Sequence, residues 1–251
     1  GKSTSRVNGD DGMLERVAKA FNQPDGDFYT NNIWGLTHMY FRLFLYYHVL
    51  GHNTEFYPRF YEMLRQDRMV RVNASGIQTG TGGLLHLYKI TCDAAGEDLT
   101  EFFRAHGALT VMNERFVGDY SNSIYTSTQE EINAAIASVK AKGYKENLAA
   151  LFINDGTGQK AIGSTGKVLE HYDLLNGQNW ITSHVGHYAY FYEPATGYTF
   201  EVGSGGVLNF TGEGGVGFLI RNDEGEILAF SNKKTMYVTE EVSMKLINGE
   251  V

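Results

Sequence analysis

The apolar positions of the chain change their spacing about halfway along. In the first half they recur at helical intervals. Leu14, Val17, Ala18 and Phe21 follow an i, i+3, i+4, i+7 pattern after the possible caps Asp10 and Asp11. A run from about Asn32 to Leu50, stopped by Gly51, is apolar nearly all round (Met39, Tyr40, Phe41, Leu43, Phe44, Leu45, Tyr46, Tyr47), which predicts a central core helix. A third helix is expected after Thr54, carrying Phe56, Phe60, Met63 and Leu64. A fourth, carrying Leu84, Leu85, Tyr88 and Cys92, is expected to end at Gly96. Asp98-Leu99-Thr100-Glu101 and Ser127-Thr128-Gln129-Glu130 have the form of capping boxes, each followed by a short helix, the first closed by Gly107 and the second by Gly143.

After Gly143 short apolar or alternating runs recur between glycine turns, at 148–153, 181–192, 198–202, 206–210, 216–221, 226–231 and 235–239. Asp223-Glu224-Gly225 and Pro194-Ala195-Thr196-Gly197 read as hairpin turns. About seven short strands at this spacing predict a β-sandwich. The expected fold class is therefore α+β, a helical part over 1–143 followed by a β-sandwich over 144–251.

Composition sharpens that division. Residues 1–142 carry 14 basic and 16 acidic residues, net −2, and residues 143–251 carry 7 and 13, net −6. The second stretch also holds 17 of the 30 glycines. The total of −8 argues against nucleic acid as the main partner. No apolar run is long enough for a membrane span. A single cysteine, Cys92, excludes an internal disulfide and any multi-cysteine metal site. The start Gly1-Lys2-Ser3-Thr4-Ser5 has no apolar signal-peptide core, and Gly1 in place of Met suggests a processed or engineered start.

Candidate chemistry is sparse. His48-Val49-Leu50-Gly51-His52 has the histidine spacing of a zinc helix, but Val49 stands where H-E-x-x-H needs its general base, and Gly51 is expected to end the helix before His52. One packed and one exposed histidine is the favoured reading. His184 and His187, three apart in an expected strand, would point to opposite faces. Gly163-Ser164-Thr165-Gly166-Lys167 fails the phosphate-loop pattern at Ala161 and Val168. Cys92 sits on an apolar stripe and is expected to be buried and inert. Asn73-Ala74-Ser75 and Asn209-Phe210-Thr211 match a glycosylation sequon that short sequences contain by chance. Alternation places Tyr188, Tyr190 and Tyr192 on one face of the 181–192 run. Exposed, that face would suit sugar stacking or peptide contact; a sheet packed on both faces is the favoured alternative.

Several segments together resemble a known family: Asn31-Asn32-Ile33-Trp34, the aromatic helix from Met39 to His48, Glu55-Phe56-Tyr57-Pro58-Arg59-Phe60, Asp98-Leu99-Thr100-Glu101-Phe102-Phe103-Arg104-Ala105-His106-Gly107, and the stretch from Asn222 to Lys233. Their order is similar to the C-terminal portion of enhancin-like zinc metallopeptidases, a family of viral enhancins and secreted gut-bacterial enzymes that cleave mucin-type glycoproteins. Residues 2–120 resemble the helical part of the peptidase domain, and the β half resembles the trailing module of bacterial members. In that family H-E-x-x-H and a downstream glutamate hold the zinc, and both precede the region matched here. The 251 residues contain no His-Glu pair, so no zinc ligand carries over to any of them.

The resemblance implies a C-terminal fragment of a secreted or cell-surface bacterial zinc metalloendopeptidase acting on glycoproteins. It implies zinc in the parent, none in this chain, and no activity from the chain alone. The alternative is a non-catalytic β-sandwich that binds glycan or protein on a helical platform. A freestanding enzyme using His38, His86 or His106 is the weakest reading, because no recognised spacing ties a nucleophile or carboxylate to them.

Overall fold

The computed structural model describes residues 13–22, 33–49, 51–66, 78–80, 83–118, 122–152, 199–211, 218–231 and 235–248. The fold is α+β. In chain order the elements are α1 (Met13–Asn22), α2 (Ile33–Phe44) running into a π-helical turn (Leu45–Val49), α3 (Phe56–Gln66), β1 (Gln78–Gly80), α4 (Gly83–Ala95), β2 (Glu97–Asp98), α5 (Thr100–Ala105), β3 (Met112–Gly118), β4 (Asn122–Ser127), α6 (Gln129–Lys140) and β5 (Lys145–Glu146). A 3₁₀ turn (Ala149–Phe152) follows, then β6 (Thr199–Val202), β7 (Val207–Thr211), β8 (Phe218–Arg221), β9 (Ile227–Ser231), β10 (Thr235–Tyr237) and α7 (Glu240–Asn248). They form two compact units: Phe28–Asn147, and Gly1–Asp27 together with Leu148–Val251.

In the Phe28–Asn147 unit, α3 packs on α4 and α4 on α6. The interior is aromatic. Tyr47 stacks on Phe56 at 4.4 Å, Phe56 on Phe60 at 5.8 Å, and Tyr40 lies 5.3 Å from Phe60. Leu45, Tyr46 and Tyr47 are buried in succession within the π-helical turn. Three adjacent inward residues exceed what one face of a regular helix presents. Phe41, expected at the centre of this core, is only half-buried, and Arg42 beside it is fully buried.

Helix ends follow local chemistry, with two shifts from expectation. The capping box of α6 is Thr128 with Glu131, one residue later than the spacing suggested: Thr128 Oγ1 accepts from the Glu131 amide and the Glu131 carboxylate accepts from the Thr128 amide. At α5 the N-cap is Leu99 and there is no box. Asp98 Oδ1 instead accepts from the Thr100 amide at 2.9 Å and from the Thr100 hydroxyl, while Glu101 pairs with Arg104 at 3.3 Å. The hairpin β3–β4, with β1 added parallel to β4, was not expected from the pattern.

In the other unit β6, β7 and β10 form one antiparallel sheet and β8–β9 a second pair. Leu208, Ile220, Ala229, Met236, Val238 and Val242 make one apolar core, drawing on both sheets and on α7. The expected turn at Asp223-Glu224-Gly225 joins β8 to β9, with Gly225 at φ 83°. Residues 148–153, expected as a strand, instead hold a buried 3₁₀ turn. The helix α1 belongs to this unit. Asn22 clamps the backbone of Phe230 by donating to its carbonyl at 2.9 Å and accepting from its amide at 3.0 Å.

Candidate functional site

The polar chemistry of the Phe28–Asn147 unit sits inside its aromatic packing. Arg42 has 0% of its surface exposed. Its Nη1 donates to His106 Nε2 at 2.8 Å, and its guanidinium lies 5.5 Å from the centre of the Phe102 ring. An arginine only donates, so Nε2 accepts. The proton of the imidazole is then on Nδ1, which donates to the Phe102 carbonyl at 2.7 Å. His106 is therefore held neutral with both ring nitrogens engaged, an arrangement suited to fixing α5 against α2. It leaves no nitrogen for proton transfer.

A second group surrounds Glu97. Tyr47 OH and Asn147 Nδ2 both donate to Glu97 Oε2 at 2.6 Å. Glu97 lies in β2, which pairs with β5 through Glu97 and Lys145, and the Asn147 amide donates to the Asp98 carbonyl at 2.9 Å. The chain just after β5 is thereby tied to the end of α4. Burial, then the adjacent carboxylate, push the Tyr47 phenol far above its ordinary range, so it stays a donor. The carboxylate is half-buried and fixed in direction. It can accept hydrogen bonds, and no nucleophile is placed against it by any of these contacts.

The Thr91 hydroxyl donates to the Leu87 carbonyl at 2.6 Å and accepts from Tyr40 OH at 2.9 Å, and the Thr100 hydroxyl, which donates to Asp98, accepts from Tyr88 OH at 2.7 Å. Desolvation raises both phenols. Burial pushes the Cys92 thiol up to about 12, so it is protonated and unreactive at neutral pH, as expected.

His48 and His52 are both exposed, where one was expected to be packed. His48 stacks on Phe44 at 5.2 Å and His52 on Tyr46 at 4.2 Å. Gly51, at φ 74°, separates them. Among the described residues no group of three or more His, Cys, Asp or Glu is placed to hold a metal ion. A catalytic zinc needs three converging protein ligands, and the described residues offer no such set. Tyr188, Tyr190, Tyr192, His184 and His187 lie outside the described residues. Sequence reasoning missed Arg42 as a buried anchor, although a single cation inside the run from Met39 to Tyr47 was its signal. Glu97 and Asn147 carried no signal, because their meeting depends on the pairing of β2 with β5.

No protein-family model matches the chain, and no curated protein matches it by sequence. Solved structures do resemble it. Its fold is metallopeptidase-like. It superposes on a metallopeptidase in complex with Tn antigen with a TM-score of 0.61 at 20% identity, over 91% of this chain and 42% of that one. A metallopeptidase from Bacteroides thetaiotaomicron is similar with a TM-score of 0.59 at 18% identity, over 91% of this chain and 38% of that one. The chain thus spans about two fifths of the length of either enzyme.

Proposed function

We propose that the chain is part of an enhancin-like zinc metallopeptidase, secreted or held at a bacterial cell surface, that cleaves mucin-type and related glycoproteins. The observation that carries this reading is the superposition of 91% of the chain on a metallopeptidase in complex with Tn antigen. The zinc and its ligands then belong to a part of the natural protein that these 251 residues do not include. Two facts support that placement: the sequence has no His-Glu pair, and it accounts for 42% and 38% of the lengths of the similar enzymes. In this reading the chain contributes walls and scaffold to the substrate cleft and is inactive alone. Tyr188, Tyr190 and Tyr192 are the proposed glycan contacts of the β half, since tyrosine joins an apolar ring to a polar tip.

The test uses the natural protein that contains this sequence, incubated with a peptide carrying Tn antigen and with the same peptide unglycosylated. Cleavage that requires the glycan, stops with a zinc chelator and returns with added zinc is the expected result. Cleavage indifferent to chelation contradicts the reading. Glycopeptide binding without cleavage, lost on triple Tyr→Ala substitution, favours the binding-module alternative.

A further inference from the structure

The sheet formed by β6, β7 and β10 has two unlike faces. Its inner face carries Val202, Leu208, Phe210 and Met236 to the core. Strand alternation puts Thr199, Glu201, Asn209, Thr211, Thr235 and Tyr237 on the outer face, and all six are exposed. Tyr237 is 55% exposed, whereas Met236 beside it is 1%. Register aligns Glu201, Asn209 and Thr235 in one row across the three strands, with Tyr237 two residues along β10 from Thr235. Adjacent strands lie about 4.8 Å apart, so the row spans roughly 10 Å, wide enough for one pyranose ring.

We propose that this outer face binds a neutral hexopyranose glycan, with Tyr237 as the stacking platform and Glu201, Asn209 and Thr235 as partners of the sugar hydroxyls. The groups match such a ligand in kind. An aromatic ring takes the C–H face of a sugar. Thr235 Oγ1 donates to Asn209 Oδ1 at 3.2 Å, which fixes the amide and leaves its two Nδ2 hydrogens to donate outward. The Glu201 carboxylate accepts from hydroxyls and disfavours sugars bearing acidic groups. The inference stands apart from the peptidase reading, since it needs neither zinc nor cleavage, and it uses residues other than Tyr188, Tyr190 and Tyr192.

The test is a titration of the full 251-residue chain, followed by amide NMR, with methyl α-galactoside and N-acetylgalactosamine up to about 10 mM, above the millimolar range of weak sites. The expected result is saturable shifts confined to β6, β7 and β10. Tyr237→Ala should weaken binding about tenfold, and Glu201→Gln, an exposed and nearly isosteric change, should weaken it less with the amide spectrum otherwise preserved. Absence of shifts in these strands with both sugars overturns the proposal. So does binding that both variants leave unchanged.

Discussion

Among the described residues, Arg42 has the environment that departs most from what its type leads one to expect, a charged side chain with 0% exposure. A guanidinium with no exposed surface must be held by fixed partners, and His106 and the Phe102 ring are two of them. Arg42→Ala removes the donor to His106 and leaves a large cavity, so a loss of about 3 kcal/mol or more is expected. Chemical denaturation of the variant beside the parent chain checks this, and an unchanged midpoint would show that α2 and α5 do not depend on the pair. The buried acids make a second prediction. Cys92 is raised from its ordinary 9.0 to about 12, and Tyr40, Tyr57 and Tyr88 are raised above 10.0. Above pH 9 the unfolded chain releases the thiol proton while the folded chain keeps it, and above pH 10 the phenols follow. The folded state then binds more protons, so stability is intact below pH 9 and falls as pH rises past it. Melting temperatures between pH 7 and pH 10.5 should decline in that order, and a thiol reagent at pH 8 should modify Cys92 only on unfolding. Burial of Cys92 was legible from its apolar stripe. That of Arg42 was not, because the pattern marks a face and not the partners waiting there.

At the scale of elements, helices were the legible part. The predicted stops at Gly51, Gly96, Gly107 and Gly143 all have positive φ. What escaped were features created by register or by tertiary packing. The bulge between Met112 and Arg115, with Glu114 at φ 46°, shifts the phase of β3 and breaks the alternation that would have revealed it. The run at 148–153 is apolar at every buried place, and such a run does not distinguish strand from helical turn. The helix α7 carried a readable start that was overlooked: Thr239 Oγ1 accepts from the Val242 amide, and Glu240 and Glu241 fill the first turn. In the β6–β7 turn Gly206 has φ 71°, and a Cβ there would sit 2.4 Å from the Val238 carbonyl oxygen. That oxygen belongs to the residue whose amide donates to the Gly206 carbonyl at 2.8 Å. Gly206→Ala therefore combines backbone strain with a clash against backbone, and a destabilisation of about 2–3 kcal/mol is expected. Gly205→Ala meets nothing within 4 Å of its Cβ and carries the strain alone, so the Gly206 variant should melt lower. Equal melting points would contradict the close approach.

At the scale of the whole molecule, the α+β organisation and the metallopeptidase-like fold were both read from the sequence, the first from periodicity and the second from resemblance. Periodicity did not reveal that α1 belongs with the C-terminal strands. In that grouping α1 packs on β9, with Phe21 5.5 Å from the Phe230 ring and Asn22 bonding a backbone 208 residues away, whereas the spacing of apolar residues along α1 says only which face is inward. Nor does an α+β fold by itself define an activity. Likeness in fold to two longer metallopeptidases instead motivates the proposal of a catalytic metal held by residues other than these. Metal content tests that claim most directly. Purified without tag, the 251-residue chain should carry zinc well below one ion per chain. The natural protein that contains the sequence, prepared in the same way, should carry about one, the number a mononuclear catalytic site requires. A full equivalent of zinc on the 251-residue chain, lost in the His48→Ala, His52→Ala double variant, would contradict the account, as would a natural protein that cleaves glycopeptides without zinc.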